Sequence, residues 1–165
     1  MLNSIRVMTS AYLFYGDSVL LMQRSPRKKF MPNVWAAVGG HVEPGEHGDL
    51  LQSCLREIAE ETGIQPSQLN GLSLRYVLLR QRNKELRQQF VYFGTTTTAD
   101  IGSTDEGTLH WIPYHEVFNR RMTDSNRLML EHYFGNTDDK QIWVGTLQGV
   151  NGGAVVRWAP MSDWG

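Results

Sequence analysis

Glu57, Glu60 and Glu61 stand three and four residues apart inside the most helix-like stretch of the sequence, residues 49–62. Positions i, i+3 and i+4 of a helix share a face, so all three carboxylates leave the helix on one side. At roughly 100° per residue, Leu51, Cys54, Leu55 and Ile58 form an apolar stripe about a quarter to a third of a turn away. That stripe can pack on a sheet while the acids face a cleft. Asp49 followed by Gln52 is a capping-box arrangement, and Gly63 sits where a C-cap glycine belongs. Three like charges at one place repel, and Arg56 alone cannot neutralise them. A divalent cation can, and hard oxygen ligands suit Mg²⁺ or Mn²⁺. Taken alone, the same pattern is also that of a solvated acidic helix face.

The rest of the chain supplies strands. Residues 5–14 and 19–23 read as a hairpin across residues 15–18, followed by a basic, proline-punctuated loop at 25–33. Residues 34–38 read as a short strand ending at Gly39-Gly40, and residues 41–48 as a loop. Residues 72–82 and 89–98 form two long strands joined by a charged turn, and 108–112 a further strand. A helix start is expected at Pro113, a helix over 125–134, and a closing hairpin, 141–147 with 154–158, across a glycine-rich turn at 149–153. Strands interleaved with helices predict an α/β fold with a mixed sheet, and no linker divides residues 1–165.

Composition narrows the partners. Net charge is -1, with 16 Lys+Arg against 17 Asp+Glu, which argues against a nucleic acid polymer and leaves a single nucleotide open. Cys54 is the single cysteine, which excludes an internal disulfide and a multi-cysteine zinc site. The apolar run 7–15 is too short and too polar for a signal peptide or a membrane span. The expectation is a cytoplasmic protein with no membrane partner, for which a homodimer remains open.

Residues 39–64, GGHVEPGEHGDLLQSCLREIAEETGI, closely resemble the Nudix box, G-x(5)-E-x(7)-R-E-U-x-E-E-x-G-U with U a bulky aliphatic residue. Gly40, Glu46, Arg56, Glu57, Ile58, Glu60, Glu61, Gly63 and Ile64 fill its named positions. One departure stands out: nine residues rather than seven separate Glu46 from Arg56. Because Asp49 keeps the cap seven before Arg56, the extra pair is His47-Gly48 in the loop. The likeness continues in Val19–Arg24 before the box, in Trp35 before the double glycine, and in residues 105–111, an acidic pair before a tryptophan-containing strand.

The resemblance implies a Nudix-type α/β/α sandwich and Mg²⁺-dependent hydrolysis of a phosphoanhydride bond in a nucleoside diphosphate-linked compound. By resemblance, Glu57 and Glu61 are the metal ligands, joined by Glu60, the backbone carbonyl of Gly39, and Glu106. Glu60, Glu106 and Arg56 are the candidate catalytic residues, with Arg56 orienting Glu46 and the loop. Arg24, Trp35 and Gly40 are the substrate-binding candidates. As residues alone, Glu106 reads equally as an exposed loop acid, with Asp105 competing for its role, and the aromatic residues Tyr12, Trp35, Phe93 and Trp111 as core.

Neither the proline typical of the ADP-ribose group nor the tyrosine typical of diadenosine polyphosphate hydrolases follows the box; those positions hold Arg80, Gln81 and Arg82. The default is then a nucleoside triphosphate, oxidised 8-oxo-dGTP included, cut to monophosphate and pyrophosphate. A nucleotide-sugar or other NDP-X compound is the alternative. Two other classes stay open: a non-catalytic nucleotide sensor, and an isopentenyl diphosphate isomerase, which would need a cysteine near substrate.

Overall fold

The structure is a computed structural model and describes residues 1–164. The opening hairpin consists of β1 (Ser4–Tyr15) and β2 (Ser18–Arg24), turning at Gly16 with φ +56°. Its apolar residues are nearly continuous because both faces of the sheet are covered. Ala11, Leu13, Leu20 and Met22 join the core on one face, while Tyr12, Val19 and Leu21 join the core on the other.

The single strand expected over residues 34–38 is two: β3 (Trp35–Ala36) on β2, and β4 (Val38–His41) on β1. The double glycine continues β4 rather than ending a strand, with Gly39 opposite Ser10 and Gly40 opposite Thr9. A side chain at Gly39 would place its Cβ 2.2 Å from the Thr9 carbonyl oxygen, and φ there is +143°, so glycine is what lets β4 lie against β1.

Helix α1 (Leu50–Thr62) begins at the expected cap, where Asp49 Oδ1 accepts the Gln52 N–H at 3.1 Å, and ends at Gly63 in the left-handed conformation. Cys54 and Ile58 pack on the sheet; Leu51, in the first turn, stays 40% exposed and outside that cluster. β5 (Leu69–Arg82) and β6 (Glu85–Thr96) are longer than expected and meet across two residues, Asn83 and Lys84, both at positive φ. That geometry closes a hairpin directly, so the charged turn is the expected one, tightened to Asn83-Lys84 with Glu85 opening β6.

β7 (Gly107–Pro113) adds to β2, and a 3₁₀ turn, Tyr114–Asn119, stands where an α-helix start was expected. Helix α2 (Asp124–Gly135) is capped by Thr123, and β8 (Ile142–Val150) and β9 (Gly153–Met161) close the chain.

Among the described residues these nine strands make one sheet in the order β3-β2-β1-β6-β5-β8-β9, with β4 beside β1 and β7 beside β2. The β1–β6 and β5–β8 pairs are parallel and the others antiparallel, the mixed sheet expected. α1 covers one face through Cys54 and Ile58, and α2 the other through Met129 and Leu130, giving the α/β/α sandwich. No helix among the described residues is long and apolar enough to cross a membrane.

Candidate active site

The double glycine of β4 brings the backbone against the acidic end of α1. The Gly39 N–H donates to Glu61 Oε2 at 2.8 Å. A Cβ on Gly40 would lie 2.5 Å from Glu57 Oε1, so the bare backbone makes room for that carboxylate. Glu61 is 8% exposed. Burial, then the neighbouring charges of Glu57 and Glu106, push its carboxyl up to about 7, opposed by the Gly39 N–H and by Arg24. Burial likewise raises Glu57, against the pull of Arg56.

Arg56 ties the box together. Its Nε donates to Glu46 Oε1 at 2.8 Å and its Nη2 to Glu46 Oε2 at 3.0 Å, a two-pronged pair formed in spite of the inserted His47-Gly48. The Arg56 guanidinium holds the Glu46 carboxyl down at about 2. Nη1 also donates to Glu57 at 3.0 Å and to Glu60 at 3.1 Å, and Nη2 to the His41 carbonyl at 3.1 Å. Arg56 therefore grips Glu57 and Glu60 as well as the loop, Glu60 being its i+4 neighbour on the helix surface.

The three helix carboxylates do share a side, but they divide between two partners: Glu61 accepts from Gly39, while Glu57 and Glu60, the latter with its side chain 59% exposed, both accept from Arg56 Nη1. Among the described residues no three His, Cys, Asp or Glu side chains already converge tightly enough to hold a metal ion. Glu106, in the loop before β7, comes close enough for its charge to act on Glu61, and it pairs with Lys28 of the basic loop at 2.5 Å.

A cavity of about 450 Å³ opens beside this edge, lined by Gly39, Gly40 and His41 from β4. Arg24 lines it, with its Nε buried and lacking a hydrogen-bond partner among the described residues. Trp35 does not line it; the alternation of β3 turns the neighbouring Ala36 inward, and Trp35 instead lies beneath the Arg120 guanidinium and beside His110. Tyr12 and Phe93 are core residues stacked on each other. Cys54 is 1% exposed, and burial pushes its thiol up to about 12. Residues not foreseen from the sequence also line the cavity: Arg6 and Ser10 of β1, Arg80 of β5, Arg87 and Gln89 of β6, and Ser125 and Asn126 of α2. They carry no local motif and meet only through strand register.

The fold and the box geometry together define a class of α/β/α sandwich proteins. The NUDIX domain description matches residues 5–133, and the chain belongs to the NUDIX family. It is 51% identical over 49 residues to the m7GpppN-mRNA hydrolase NUDT17 of Xenopus laevis, a match covering 30% of this chain and 16% of that protein. It is 29% identical over 124 residues to the probable nudix hydrolase C6G9.05 of Schizosaccharomyces pombe, covering 74% of this chain and 41% of the relative. The chain thus spans less than half the length of these curated relatives. Among solved structures, a MutT protein from Bacillus halodurans superposes with a TM-score of 0.74 at 22% identity, covering 93% of this chain and 97% of that one.

Proposed function

We propose that this chain hydrolyses a phosphoanhydride bond in a nucleoside diphosphate-linked compound, using Mg²⁺ or Mn²⁺. The observation that carries the reading is the juxtaposition of opposite electrostatics at β4. Desolvated Glu57 and Glu61 lie on one side, and on the other is a cavity whose lining holds four arginines and, among the described residues, no Asp or Glu. A polyphosphate bridged to carboxylates by a hard cation fits both halves.

The donor set suits such a cation: Glu61 is buried with one backbone N–H as its hydrogen-bond partner among the described residues, and like charges crowd it. Glu57 and Glu61 would hold the ion, with the Gly39 carbonyl, Glu60 and Glu106 as further oxygens. Held there, such an ion would supply charge neutralisation at the phosphoryl oxygens, at the attacking water and at the leaving phosphate. Arg24 and the Gly40 backbone border the phosphates. Glu106 receives the water proton as the new P–O bond forms and the anhydride P–O bond breaks. Glu60, drawn outward by Arg56, is the less well placed base, and Arg56 is a positioning residue that fixes Glu46, Glu57 and Glu60.

Within this reading a nucleoside triphosphate, 8-oxo-dGTP type included, is cut to monophosphate and pyrophosphate, with nucleotide-sugars and other NDP-X compounds as the competing substrates. The burial of Cys54 leaves an isomerase without its cysteine. Incubation of a panel of these compounds with Mg²⁺, products identified by mass, tests the reading. Monophosphate with pyrophosphate supports the triphosphate assignment. Orthophosphate release from intact triphosphate contradicts it, and absence of any turnover leaves a nucleotide sensor.

A further inference from the structure

The strand registers place three arginines side by side. Arg6 of β1 is directly opposite Arg87 of β6, and Arg87 is directly opposite Arg80 of β5. All three line the same cavity. Like charges directly opposite each other on neighbouring strands are destabilising, so such a rung needs compensation. One carboxylate supplies part of it: Glu85 accepts from Arg6 Nη2 at 2.9 Å and from Arg87 Nε at 2.5 Å.

Arg80, the far end of the rung, is left out. Among the described residues its side-chain hydrogen bond is one neutral contact, Nη1 to Ser125 Oγ at 3.0 Å, which leaves most of its five N–H donors unused. Burial first, then the charges of Arg87 and Arg82, hold its guanidinium below the usual range. A desolvated cation between two like charges is stabilised most by an anion.

Position decides which anion. The rung starts at Arg6, whose Nη1 is 2.9 Å from His41 Nε2, next to the box glycine, and it runs away from β4. Two strand spacings, about 10 Å, separate Arg80 from β1. Arg80 thus stands at the end of the rung remote from β4, whereas phosphates bridged to Glu57 and Glu61 would sit at the β4 end.

We propose that Arg80 and Ser125 form an oxyanion subsite that takes a phosphate group carried elsewhere on the substrate than the anhydride being cut. Arg87, in register with Arg80, lends a second positive charge, which suits a doubly charged phosphomonoester. The inference rests on the reading of this cavity as the place where the nucleotide lies, and it narrows the substrates to those with a remote phosphate.

Calorimetric titration with 5′-AMP, adenosine 3′,5′-bisphosphate and adenosine 2′,5′-bisphosphate tests it without any need for turnover. One of the bisphosphates is expected to bind about tenfold tighter than 5′-AMP, the scale of one charge-assisted contact. In Arg80→Gln that ratio falls toward one, whereas Arg80→Lys, which keeps the charge, retains part of it; thermal melting checks both folds. The wild-type ratio needs no variant. Equal affinities for all three in the wild type, or an unchanged ratio in folded Arg80→Gln, overturn the subsite. The hydrolysis panel, run on the same wild-type preparation, separates the two ideas. Turnover without the preference removes the subsite alone, the preference without turnover removes the hydrolase reading alone, and absence of nucleotide binding removes both.

Discussion

Arg56 and Glu46 meet through two parallel contacts, Nε to Oε1 at 2.8 Å and Nη2 to Oε2 at 3.0 Å, across a loop that is two residues longer than the box pattern. The same guanidinium reaches Glu57 and Glu60, so the loop and the acidic face of α1 share one anchor. Lysine carries the charge but not the planar fork. Arg56→Lys should stay folded with a lowered melting temperature and lose about tenfold or more in kcat/KM, mostly in kcat, because the carboxylates lose their orientation. Retention of full kcat would show that Arg56 has no positioning role.

The two glycines of β4 should respond differently to the same methyl group. In Gly39→Ala the Cβ meets the Thr9 carbonyl oxygen and sits at φ +143°, a backbone cost of about 1–3 kcal/mol before any clash is counted. Gly40→Ala directs its methyl into the Glu57 carboxylate, which is the end of a movable side chain. Urea denaturation should therefore show the larger loss in Gly39→Ala, while Gly40→Ala keeps its fold and loses metal-dependent turnover. The reverse ranking of stabilities would contradict the β4 geometry.

His132 gives the stability a pH dependence near neutrality. It lies against Trp143 and Trp158 and bonds through Nδ1 to the Tyr76 hydroxyl at 2.9 Å. Burial holds its imidazole below its ordinary 6.5, partly countered by Asp139. The unfolded chain takes up the proton first as pH falls, so this residue's contribution is present above 6.5 and is lost as pH drops from there toward the folded value. His132→Gln, which does not titrate, should show a smaller decrease in urea midpoint between neutral and mildly acidic pH than the wild type. An identical decrease in both proteins would assign that pH dependence to other groups.

What could be read from the sequence was what lies close together along the chain. The α1 boundaries followed from Asp49, Gln52 and Gly63, and the shared side of Glu57, Glu60 and Glu61 from helical spacing alone. The β1–β2 hairpin followed from its strand formers and the turn at residues 15–18, but the face each residue takes did not, because both faces are covered and the apolar run is nearly continuous. What stayed hidden depends on partners far away in sequence. The Arg6–Arg87–Arg80 rung exists because β1 and β6 pair in one register and β6 and β5 in another, which no local pattern encodes. Trp35 lies outside the cavity because it faces the opposite way from its lining neighbours Val34 and Ala36, and which of those faces meets the cavity depends on how β3 pairs with the distant β2.

The account turns on Glu61, the buried carboxylate held by Gly39 and faced by Glu57 and Glu106. The most direct measurement is kcat/KM for the best substrate of the panel, in wild type and Glu61→Gln, across a Mg²⁺ titration with melting curves alongside. Glu61→Gln should remain folded, need more Mg²⁺ for half-maximal rate, and lose about a hundredfold in kcat/KM at limiting metal. Wild-type turnover in Glu61→Gln at limiting Mg²⁺ would contradict the assignment of this site as a metal-dependent phosphoanhydride hydrolase.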